Sequence, residues 1–144
     1  MRTTSVSERP PNPWRLLPAA TWALVVAILS LVPMPFLGAF EATAPLVAAI
    51  PHADKIAHAG MYAVLTGLSL WARALAGAAR PGRAVLPAAL AAAAYGALLE
   101  CLQGFTVLRD SSVWDAFANA AGAFGAAGVW LAALRRRGRQ TGPA

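Results

Sequence analysis

Asp54-Lys55-Ile56-Ala57-His58-Ala59-Gly60-Met61-Tyr62 places an acid, a base, an imidazole and a phenol at the head of a largely apolar segment that runs to Ala74. In a helix, Asp54, His58 and Tyr62 fall at i, i+4 and i+8. They therefore share one face, one above another, with Lys55 an i, i+3 neighbour of His58 beside them. An apolar helix of that length does not ordinarily carry so much polarity at one end. What those groups face depends on whether the surrounding chain builds a soluble core or a membrane bundle.

Composition decides for the membrane. Of 144 residues, 58% are hydrophobic and 12% charged, with a mean hydropathy of +0.56. A soluble domain carries about 25% charged residues, so this chain has half the usual complement, and the deficit lies in long uncharged runs. The net charge of +6 does not point to nucleic acid, because no basic run interleaved with aromatics and no base-reading motif is present. No nucleic-acid partner is expected. The lone Cys101 sits inside an apolar run, so no disulfide framework exists.

Outward from Asp54, the chain divides into four apolar runs. Residues 1–14, with Arg2, Glu8, Arg9, Pro10, Pro11 and Pro13, read as a disordered cytoplasmic tail. A first span is expected from Leu16 to Leu37, since about 20 residues cross the hydrocarbon, with Pro33 and Pro35 kinking or ending it. A cleaved signal peptide is the rival reading of that run. The length of the run and the spans that follow it argue against cleavage. In the connector from Gly38 to Ala53, Leu46 to Ile50 suits a short interfacial helix. The second span opens at Asp54 and closes near Arg73, followed by a basic turn with Arg80 and Arg83. The third, Val85 to Phe105, carries Tyr95, Glu100 and Gln103. After a link holding Arg109 and Asp110, the fourth runs from Ser112 to Leu134 with Asp115 and Asn119 near its start. The expectation is an all-α membrane protein: four transmembrane helices in residues 15–135, then a basic cytoplasmic tail over 136–144.

Orientation follows from the arginines and lysines. Arg2, Arg9, Arg15, Arg73, Arg80, Arg83, Arg135, Arg136, Arg137 and Arg139 fall on one side, and only Lys55 and Arg109 on the other. Both termini are therefore expected in the cytoplasm, with the chain in the cell membrane. That alternation brings three span ends to one outer level: Asp54, Lys55 and His58 from the second, Glu100 and Gln103 from the third, and Asp115 and Asn119, with Arg109, from the fourth. Ionisable groups at membrane depth normally face a bundle interior or a wet cavity. One shared outward-facing polar pocket is the economical arrangement.

The ordered set Asp54-Lys55-x-x-His58-x-x-x-Tyr62, Tyr95-Gly96 with Glu100-x-x-Gln103, and Arg109 through Asp115-x-x-x-Asn119-x-x-Gly122 resembles the VanZ-like family. The likeness spans Leu16 to Leu134. Val107 stands where the family often has a proline, and Gly125 where a small residue would be expected at Ala126. The resemblance implies a small bacterial multi-pass membrane protein of the cell envelope, in a family whose namesake is associated with resistance to the glycopeptide teicoplanin. It implies a shared site but no reaction.

Local readings stand beside the pocket. Ser112-Val113-Trp114-Asp115 is a capping-box pattern, in which Asp115 would serve its own helix start. Asp54 suits the same duty at the second span. Gly122 and its neighbours suit close helix packing. No metal and no cofactor are expected, because no His-x-x-x-His pair or cysteine partner accompanies His58, and Lys55 and Arg109 would repel a cation. The favoured function is binding of an anionic lipid or lipid-linked envelope precursor through Asp54, Lys55, His58, Tyr62, Glu100, Gln103, Arg109, Asp115 and Asn119. The alternative is an intramembrane acid–base enzyme, a hydrolase or transferase, working through His58 and Glu100.

Overall fold

Prolines and a left-handed histidine set where the helices begin. The computed structural model describes residues 13–32, 50–76, 81–106 and 111–140, and among these there are four α-helices and no strand. They are α1 (Leu17–Leu31), α2 (Ala53–Leu75), α3 (Val85–Gln103) and α4 (Val113–Gln140). Short 3-10 turns, Pro13–Leu16 and Pro81–Ala84, lead into α1 and α3. Their prolines, like Pro18 in the first turn of α1, occupy positions where an amide hydrogen would have no helical acceptor. α2 is entered through His52 at φ 57, a left-handed conformation that histidine tolerates better than most side chains.

Three helical stretches are long and apolar enough to cross a membrane: Trp14–Leu31, Pro81–Gln103 and Val113–Gln140. α2, at 23 residues, has the length. It is not among the three, because Asp54, Lys55, His58 and Arg73 dilute its apolar content. The first span as read from sequence extended to Leu37, but α1 ends at Leu31. Pro33, Pro35 and most of the expected interfacial helix lie outside the described residues. At the other terminus the helix does not stop at Leu134. It continues through Arg135, Arg136, Arg137 and Arg139 to Gln140, because arginine is a good helix former and suits a helix C-terminus.

Four cross-links show how the helices alternate in direction. The Arg15 guanidinium, just before α1, donates to the Leu75 carbonyl at the end of α2. The Trp22 indole donates to the Met61 carbonyl of α2 at 2.9 Å, and the Tyr95 hydroxyl of α3 to the Ala23 carbonyl of α1 at 2.8 Å. Gln103 Nε2, at the end of α3, donates to the Ser30 carbonyl near the end of α1 at 2.7 Å. α1 and α3 thus run one way and α2 the other, and α4 runs with α2, since Lys55 meets Asp115 and His58 meets Asn119. Polar side chains collect at one end of the bundle and Arg15, Arg73, Arg83 and the α4 arginines at the opposite end.

The core has two parts. Val26, Tyr62, Leu65, Ala92, Leu99 and Ala123 meet toward the polar end, and Leu70, Val85, Ala88, Ala89 and Ala127 toward the arginine end. α2 packs most extensively against α4. At their crossing Gly122 lies against the Ala59 backbone, where a Cβ would come within 2.8 Å of the Ala59 Cα and overlap its carbonyl. Only glycine permits that approach. Leu24, Leu90, Leu98, Phe117 and Val129 point outward, as side chains facing lipid do.

Candidate functional site

The first two turns of α2, the last turn of α3 and the first two turns of α4 meet at the polar end. Lys55 Nζ lies 2.6 Å from Asp54 Oδ2 and 2.5 Å from Asp115 Oδ1, so one ammonium is shared by two carboxylates. Asp54 is exposed and reaches the cluster only through Lys55. One turn further in, His58 Nδ1 lies 2.9 Å from Asn119 Oδ1, and Asn119 Nδ2 lies 3.4 Å from Glu100 Oε1. His58 Nδ1 is also 3.7 Å from Glu100 Oε1, and His58 Nε2 is 4.0 Å from Asp115 Oδ2. The second Glu100 oxygen accepts the Ser112 amide at 3.4 Å.

With Glu100 ionised, this network orients the Asn119 amide. A carboxylate only accepts, so the Asn119 face turned to Glu100 is the amide NH2 and the face turned to His58 is its oxygen. His58 Nδ1 then carries the hydrogen that Asn119 accepts. In a neutral ring this leaves the Nε2 lone pair directed toward Asp115. Both Asn119 and Glu100 are buried, at 1% and 6% exposure. Their hydrogen bonds therefore act in a low-dielectric setting where a lost partner is costly.

Glu100 also lines a cleft between α3 and α4, with Ala97, Cys101, Ser111, Ser112, Val113 and Ala116, of about 220 Å³. Drug-sized sites run from about 300 Å³ upward. This one suits a few waters or a single compact polar group rather than a whole glycan.

Of the residues singled out from sequence, Lys55, His58, Glu100, Asp115 and Asn119 come together, with Asp54 at the rim. Tyr62 shares their helix face but lies deeper, in the apolar core, with its ring 6.5 Å from that of Tyr95. Gln103 is buried and committed to the Ser30 carbonyl, so it ties α3 to α1 rather than completing the cluster. Arg109 lies outside the described residues. The capping readings are redistributed. The Ser112 amide at the start of α4 goes to Glu100, while Asp115 reaches across to Lys55 on α2. Sequence reasoning missed the Ser112 amide and the Ser30 carbonyl as partners, since a backbone group carries no residue-type signal.

The structure also gathers metal-ligand types. His58, Glu100 and Asp115 each offer one ligand atom, and these lie within 4.8 Å of one another. No His-x-x-x-His pair or cysteine partner accompanies His58 along the sequence, whereas this set is drawn from three helices. Of the two residues expected to repel a cation, Lys55 is occupied by two carboxylates and Arg109 lies outside the described residues. Comparison with family models, with curated proteins and with solved structures returns no match.

Proposed function

We propose that this chain is a four-crossing, VanZ-like protein of the bacterial cell membrane with both termini in the cytoplasm. On this reading its His58–Glu100–Asn119 cluster receives the polar head of a lipid or lipid-linked envelope intermediate from the outer side. The observation that carries it is the meeting of three helix ends on buried Glu100, beside a cleft that opens between α3 and α4. Such polarity in a bundle of apolar helices marks function more often than stability. The arginine-rich opposite end supports the orientation. The resemblance adds a link to glycopeptide response as part of the same proposal.

The electrostatics refine the expected binding mode. Lys55 is already neutralised by Asp54 and Asp115, so it does not stand ready for a bare anion. A head group entering the cleft would meet Glu100 beside Ser111 and Ser112, and Lys55 would exchange one carboxylate for a phosphate oxygen. Native mass spectrometry of the full chain should find a co-purifying lipid, reduced in Glu100→Gln and His58→Ala proteins that retain helical circular dichroism. Equal lipid occupancy in both variants would exclude the site.

One observation favours the second reading, an acid–base enzyme. The hydrogen bond to Asn119 leaves the His58 Nε2 lone pair free to take a proton, with Asp115 placed to stabilise the imidazolium. An enzyme loses turnover in His58→Ala while lipid occupancy persists; a binder loses occupancy.

A further inference from the structure

We propose that His58, Glu100 and Asp115 form a divalent-cation site, with Nε2 of His58 and one oxygen of each carboxylate as ligands and Asn119 holding the imidazole. The tautomer is the starting point. Asn119 accepts the Nδ1 hydrogen, which is how metal-binding histidines are usually oriented, by a hydrogen bond to the nitrogen that does not bind. In a neutral ring Nε2 presents a lone pair toward a carboxylate 4.0 Å away, the place a cation would take.

Charge points the same way. Lys55 serves Asp54 and one oxygen of Asp115, and among the described residues Glu100 faces His58, whose Nδ1 lies 3.7 Å away and carries charge only when the ring is protonated. Asp115 divides its oxygens, Oδ1 to Lys55 and Oδ2 toward His58, so the ammonium does not occupy the cation's place. A doubly charged ion would balance Glu100 and Asp115 together.

The geometry suits a small transition ion. Ligands around zinc at about 2.0–2.2 Å sit roughly 3.3–3.6 Å apart in a tetrahedron. The three side chains offer ligand atoms within 4.8 Å of one another; Asp115 already faces Nε2 at 4.0 Å, whereas Glu100 approaches the ring from the Nδ1 side at 3.7 Å and would swing toward Nε2 to complete the set. One imidazole with two carboxylates selects zinc, cobalt or manganese over magnesium or calcium. Three protein ligands leave a position for water or a phosphate oxygen. The site stands independently of the head-group proposal; there it would supply the positive charge that Lys55 does not.

The test uses the full chain in detergent, stripped with chelator and titrated with cobalt(II) alone, then with zinc(II) in competition. One cobalt per chain is expected, with visible absorption bands that zinc abolishes. Glu100→Gln, His58→Ala and Asp115→Asn should each weaken binding about tenfold or more, with circular dichroism reporting which variants remain folded. Lys55→Met should bind cobalt as tightly or more tightly, since it removes an ammonium beside a ligand, whereas direct lysine–anion contact predicts weaker lipid binding in the same variant. Nitrogen-15 NMR of the stripped protein should show hydrogen on Nδ1 and none on Nε2. Failure to bind one cobalt per chain, binding that survives both Glu100→Gln and Asp115→Asn, or the opposite tautomer would overturn the site. Lipid occupancy is measured separately, so either proposal can fail alone.

Discussion

Asn119 Nδ2 lies 3.4 Å from Glu100 Oε1, and the same carboxamide's oxygen lies 2.9 Å from His58 Nδ1. One buried amide therefore joins α2, α3 and α4 and decides which imidazole nitrogen carries a hydrogen. Replacing it with leucine leaves an imidazole N–H and a carboxylate without that partner. A loss of about 1–3 kcal/mol is expected for each buried group left unsatisfied. Thermal unfolding in detergent checks this, and an Asn119→Leu protein as stable as the parent would remove the network from the account.

Lys55 and Asp115 pair across α2 and α4 while both remain partly open, at 31% and 14% side-chain exposure. Their coupling should be small, because solvent screens a pair this open. In a double-mutant cycle, Lys55→Met and Asp115→Asn together should destabilise less than the sum of the two singles. Added salt should shrink the coupling further.

Gly122 and Gly125 sit one turn apart with opposite surroundings. A Cβ at Gly122 meets the Ala59 backbone, whereas one at Gly125 meets nothing within 4 Å. Gly122→Ala should force α2 and α4 apart and cost about 1–3 kcal/mol. Gly125→Ala should be neutral or stabilising by up to about 1 kcal/mol. Thermal unfolding of the pair in one detergent tests this directly, and equal effects would refute the packing assigned to the crossing.

Gln103 was grouped with Glu100 by its i, i+3 spacing, yet it bonds the Ser30 carbonyl of α1. Gln103→Leu should lower stability by about 0.5–1.5 kcal/mol and leave cobalt and lipid binding at parental levels. Lost binding in a folded Gln103→Leu protein would return this residue to the site.

How far the sequence could be read follows from where each side chain finds its partner. The uncharged runs marked α1, α3 and α4 because membrane length and apolarity are properties of a single segment. The alternation of those runs placed Lys55, His58, Glu100, Asp115 and Asn119 at one end, where the structure joins them. α2 was equally legible as a helix, but the polar groups that mark the site also lower its apolarity. Gln103 and Tyr62 were misplaced because residues on one helix stripe can still face different neighbours when three helices surround it. The capping pattern at Ser112 and Asp115 could not disclose that Lys55, sixty residues away along the chain, would claim the carboxylate.

The unbroken length of α4 turns it into a depth gauge. Asp115 and Arg135 are twenty residues apart within one helix, about 30 Å at 1.5 Å per residue, which matches the hydrocarbon thickness of a bilayer. A bilayer that held the α4 arginines among the phosphates of one leaflet would set Asp115, and through it the His58 cluster, at the boundary where acyl chains of the opposite leaflet give way to water. A thinner bilayer would have to tilt α4 or lift the cluster into solvent, so lipid chain length becomes a means of tuning how wet that end of the bundle is.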